Sequence, residues 1–119
     1  MDGMRMQYHL HGHGTLAANM VGIWKAPCNC TLVQADFVAT TAAVGTAIIG
    51  TTADDDGYIT AVTFGASNVP VSKGYGDFNG ALVLPAGTFP KIAKGTVVWV
   101  TVTHNSMINP DIILTFLEG

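Results

Sequence analysis

At 119 residues and 49% hydrophobic side chains the chain can build one self-sufficient core, yet only 11% of it is charged, against about 25% in an ordinary soluble domain. So few charges cannot cover a monomer, so the surface is expected to be dressed in Thr, Asn and Gly and, over much of its area, buried against other protein chains. A net charge of −3 with five Lys and Arg in all argues against a nucleic-acid partner, which needs clustered cations, and no apolar run approaches the ~18 residues of a membrane span.

The opening "MDGMRMQYHL" lacks the apolar core of a secretory signal, so the chain reads as soluble and unexported. No stretch carries apolar residues at helical spacing, and what recurs instead is a short β-favouring run closed by Gly, Pro, Asn or Asp. Eight runs fit: "MQYHLHG", "MVGIWKA", "CTLVQADFVAT", "TAIIGTT", "GYITAVTFG", "NGALVLP", "GTVVWVTVTH" and "DIILTFLEG". They predict an all-β single domain, a sandwich or barrel of about eight antiparallel strands. The first of them lies in a segment, residues 1–19, rich in Met and His. We expect that segment to be an N-terminal arm, a strand or a contact to a neighbour, poorly structured in the free protein, ahead of a β-sandwich domain over residues 20–119.

Within "PCNC", Cys28 and Cys30 share one face of a strand but stand too far apart for an unstrained disulfide, so they read as free thiols of a reducing compartment. Alternation in the next strand puts Val33, Ala35, Phe37 and Ala39 in the core and Gln34 and Asp36 outside. Asp56-Gly57, in "DDDGY", predicts a tight hairpin whose Gly takes a positive φ. "LPAGTFPKIAKGT" is a Pro- and Gly-rich connection into the longest apolar strand. There Val98, Val100 and Val102 form the core face, so Trp99 points away from it. In the last strand Ile112, Leu114 and Phe116 face the core, opposite Asp111 and Thr115.

The segment most suggestive of chemistry is "HLHGHG". In a strand His9, His11 and His13 share a face and could converge on one ion, with His104 as a fourth ligand. Such a row on a double-layered β fold suggests a metal-dependent cupin enzyme. A cupin also needs a carboxylate; "HLHGHGTLAANM" contains none, and the only Glu is Glu118. We therefore expect no metal and no cofactor, and assign the histidines to a subunit contact or an exposed strand. "ADDDG" lacks the alternating Asp spacing and closing Glu of a calcium loop and reads as a solvated turn. Ser67, Ser72, Ser106 and the two Cys have no visible base and orienting partner; His104 is near Ser106 in sequence only. "GYGDFNG" has no following helix to aim a phosphate. The expectation is that the chain is not an enzyme and has no catalytic residues.

"GIWKAPCNCTLVQADFVATT", "AIIGTTADDDGYIT", "KIAKGTVVWVTVTH" and "DIILTFLEG" resemble the small β-sandwich decoration, or cement, proteins of tailed-bacteriophage heads, with a first strand after an "AP" step and an apolar strand after a "KGT" turn. The resemblance spans about residues 20–119. It implies a jelly-roll-like fold and a homotrimer seated on the outer surface of the capsid where capsomers meet. The partners implied are the major capsid protein and further copies of the chain, with assembly in the host cytoplasm and no active site. The contact residues expected are His9, His11, His13, Trp24 and Trp99. The His-rich start has no counterpart in that family. A carbohydrate-binding jelly roll stacking sugars on Tyr75, Phe78 and Trp24 is the alternative, and the cupin-like enzyme a second one.

Overall fold

The computed structural model describes residues 4–14, 19–41, 45–104 and 107–119. Among them nine strands form: β1 (Arg5–His11), β2 (Met20–Lys25), β3 (Cys30–Val38), β4 (Gly45–Thr51), β5 (Ile59–Thr63), β6 (Val71–Lys73), β7 (Lys91–Ile92), β8 (Val97–His104) and β9 (Asp111–Glu118). No helix is present among the described residues, as the missing helical periodicity predicted. One sheet runs β1-β9-β3-β6, with β7 also on β3; the other runs β2-β8-β4-β5.

Every pairing is antiparallel, and the pairs nest. Innermost in sequence is β4 with β5; around it come β3 with β6, β2 with β8 and finally β1 with β9. Successive pairs belong to opposite sheets, so the chain is one long hairpin rolled into a sandwich, the jelly-roll arrangement. A consequence follows for distant residues: the first and last strands lie side by side, with His11 opposite Asp111.

Alternation decides the faces. In β8 the valines at 98, 100 and 102 are fully buried while Val97, Trp99 and Thr101 lie on the opposite face. In β9 Ile112, Leu114 and Phe116 are fully buried, as expected. In β3 the expectation needs one correction. The pairing with β9 shifts between Leu32 and Gln34, and this bulge puts one extra residue into β3, so that Leu32 takes the core position assigned to Val33 while Ala35 and Phe37 keep theirs. Trp24 of β2 crosses the sandwich to stack on Phe116 of β9, ring centroids 4.1 Å apart and planes 17° apart.

The part of the expected arm that lies in the described residues is an edge strand, paired with β9 along its whole length. The reason is its own alternation: Met6, Tyr8 and Leu10 pack onto the core, and the glycines that argued against a strand come after it ends. Gly22 of β2 accommodates this packing, since a Cβ there would meet Tyr8 Oη at 2.6 Å and Leu10 Cδ2 at 2.7 Å.

Two further expectations change. "NGALVLP" forms turns instead of a strand. Its backbone lies against the β4–β5 connection, Leu82 N donating to Gly57 O at 2.9 Å and Gly80 N to Tyr58 O at 3.3 Å, and a Cβ on Gly80 would collide with the Gly57 backbone. Gly57 does not take the positive φ expected of it, and a Cβ there would press on the half-exposed side chain of Leu82 rather than on backbone. The short strands β6 and β7, three and two residues long, are too brief for a pattern to announce.

Candidate functional site

Alternate residues of β1, Gln7, His9 and His11, point to the outer face of the first sheet. Beside them on β9 stands Asp111, set opposite His11 by the strand register. A single carboxylate oxygen gathers both imidazoles: His9 Nε2 and His11 Nδ1 each donate to Asp111 Oδ1, at 2.6 and 2.9 Å. His9 reaches it diagonally, as long side chains two positions apart on adjacent strands do. Burial pushes the Asp111 carboxyl up, but the hydrogen bonds from His9 and His11 outweigh burial and hold it below the usual carboxylate range. The three ligand atoms lie within 4.8 Å of one another.

The carboxylate that the sequence around the histidines lacks is thus supplied from a strand about a hundred residues away. No local pattern around the histidines announces it; the signal for it is the roll itself, which pairs the first strand with the last. His13 follows β1 with its ring 6.4 Å from that of His11. His104 ends β8 in the other sheet and is not part of the cluster.

The outer face of the second sheet has a different character. Ile23 is paired directly with Trp99, and Val21 with Thr101; beyond them Ile48 is paired with Thr101 and Thr46 with Thr103. Val21 and Ile23 are 46% and 54% exposed. The result is an apolar and Thr-lined surface with Lys25 at its margin, and Trp99 faces outward as expected. Trp24 does not share that face: its parity is that of Gly22, and its ring is stacked on Phe116 and packed against the core.

The aromatic platform of the carbohydrate alternative does not assemble either. Phe78 is fully buried, Trp24 is turned inward and only partly exposed, and Tyr75, 73% exposed, stands apart from both on the surface. Cys28 and Cys30 are free thiols; burial, followed by the nearby Cys28, pushes the Cys30 thiol up from its ordinary value. Ser72 Oγ donates to Asp36 Oδ1 at 2.6 Å on the outer face of the first sheet. Ser106 lies outside the described residues. Asp54, Asp55 and Asp56 crowd one turn, and a hydrogen bond shared with Asp56 raises the Asp54 carboxyl. A shallow hollow of about 320 Å³ beside the C-terminus is lined by Asn29, Cys30, Lys91, Ile92, Ala93 and Gly119.

No protein-family model and no curated protein sequence matches the chain. A solved structure does. The chain is similar to one in the cyanophage Pam1 capsid asymmetric unit, with a TM-score of 0.55 and 12% identity, covering 99% of this chain and 87% of that one. What the two share is the fold. The likeness takes in nearly the whole of this chain, the N-terminal strand with the histidines included.

Proposed function

We propose that the chain is a structural protein of a tailed-phage virion, a decoration or cement protein bound to the outer surface of the assembled head. The observation that carries this reading is the end-to-end likeness of fold to a chain of a phage capsid asymmetric unit. Two features of this chain support it. Charge is scarce for a surface that must stay in water alone, and the outer face of the second sheet offers Val21, Ile23 and Trp99 together. The chain forms a homotrimer through that face, because a closed ring covers the same patch on every copy. Its other partner is the major capsid protein, and it does no chemistry. It stabilises the shell by linkage: it binds the assembled lattice and not the free subunits, and three linked copies multiply weak contacts.

Gradient sedimentation with heads of the phage that encodes the chain tests this reading. The protein migrates with the heads at a saturating, fixed ratio to the major capsid protein. Protein remaining at the top of the gradient at every ratio overturns it.

A further inference from the structure

We propose that His9, His11 and Asp111 form a binding site for one divalent transition-metal ion of the zinc type per chain, with at least one coordination position open to water or to a ligand from outside. The site rests on strand geometry and is independent of the capsid reading. Successive outward residues of β1 supply the two imidazoles, and the register of β1 against β9 supplies the carboxylate. All three donors already meet: both ring nitrogens lie 2.6 and 2.9 Å from one Asp111 oxygen, and the whole set falls within 4.8 Å. Donors bound to zinc at about 2.0–2.2 Å in a tetrahedron stand about 3.3 Å apart. Small side-chain rotations that open those contacts by about half an ångström therefore suffice to admit an ion.

The donor set also selects the ion. Two imidazoles with one carboxylate suit zinc, nickel, cobalt or iron(II), whereas magnesium and calcium want oxygen donors throughout. Three protein ligands leave a position free, as in catalytic rather than structural zinc sites. That position faces outward, because His9 and His11 are exposed on the sheet surface. His104, in the other sheet, does not contribute, which separates this ligand set from a four-histidine one.

The test uses the full chain without a histidine tag, stripped with chelator, and calorimetric titration with zinc and with nickel. Cobalt absorption serves as an independent reading of the ligand field. The expected result is saturation near one ion per chain, with cobalt giving the ligand-field bands of nitrogen and oxygen donors. His9→Gln and Asp111→Asn each weaken zinc binding by about a hundredfold, and His104→Gln leaves it unchanged. Asp111→Asn keeps the shape and a hydrogen-bond acceptor, so metal-free melting close to that of the original chain separates loss of binding from loss of fold. Binding that survives undiminished in both His9→Gln and Asp111→Asn overturns the site, as does the absence of saturable binding up to millimolar zinc.

Discussion

Replacing Trp24 with Ala tests whether this ring belongs to the core or to a contact. It stacks on Phe116 at 4.1 Å across the two sheets and packs against the core while remaining partly exposed. Aromatic residues of this kind bury about 150 Å² or more, and at about 25 cal/mol per Å² the truncation loses roughly 4 kcal/mol of burial. Part of that is recovered because the unfolded chain is not fully extended, so about 3 kcal/mol is the expected net loss. In a urea titration of dilute, monomeric protein with a slope of about 1.5 kcal/mol per M, the midpoint falls by about 2 M. Trp24→Phe keeps an aromatic stack and loses about half as much. Combined with Phe116→Leu in a double-mutant cycle, the pair shows a coupling of about 1 kcal/mol. A loss below about 1 kcal/mol for Trp24→Ala, accompanied by weakened self-association, refutes the core placement and returns Trp24 to the contact surface.

Ile23→Asp, on the exposed face beside Trp99, changes monomer stability by about 0.5 kcal/mol or less but converts trimers to monomers in light scattering; trimers that persist at micromolar concentration count against that face as the interface. Gly80→Ala forces a Cβ into the Gly57 backbone and costs about 2 kcal/mol or more, lowering the melting temperature by about 8 °C. Gly95→Ala, where there is open space but φ is +87°, costs about half as much, and equal losses at the two positions contradict the crowding argument. Burial raises both the Cys30 thiol and the Tyr58 hydroxyl above their ordinary values, and the charges of Cys28 and Cys30 respectively add to this. The folded state therefore holds these protons more tightly than the unfolded one. Their contribution to stability is complete below about pH 8.5, where an unfolded thiol begins to ionise, and is lost as pH rises through the folded values. Denaturant midpoints measured from pH 7 to 10 fall accordingly, and Cys30→Ala flattens the earlier part of the decline; an unchanged slope in that variant removes Cys30 from the explanation.

What the sequence disclosed depended on whether a strand had one clearly apolar parity. β8 and β9 did, and their core residues could be read directly from Val98, Val100 and Val102 and from Ile112, Leu114 and Phe116. β2 did not. Its two faces hold Val21, Ile23 and Lys25 against Met20, Gly22 and Trp24, so composition alone leaves Trp24 undecided, and only the overlying Tyr8 and Leu10 show why the glycine's face is the inner one. A single bulge reversed the parity of Leu32 and Val33 in a strand that otherwise read correctly. "NGALVLP" has strand-forming residues, but close approach of two glycine backbones overrides their preference, an effect between distant segments that no local pattern carries. The histidine cluster shows the same limit at the level of chemistry. Two of its members are adjacent in one strand and legible; the third, Asp111, is brought in by the pairing of the first strand with the last.

The most direct test of the proposed role is an electron cryomicroscopy map of heads incubated with the purified chain. The account predicts trimers of this sandwich on the outer surface where capsomers meet, with Val21, Ile23 and Trp99 covered by a neighbouring copy. Bare heads at saturating protein, or density for the sandwich on the inner surface of the shell, contradicts it.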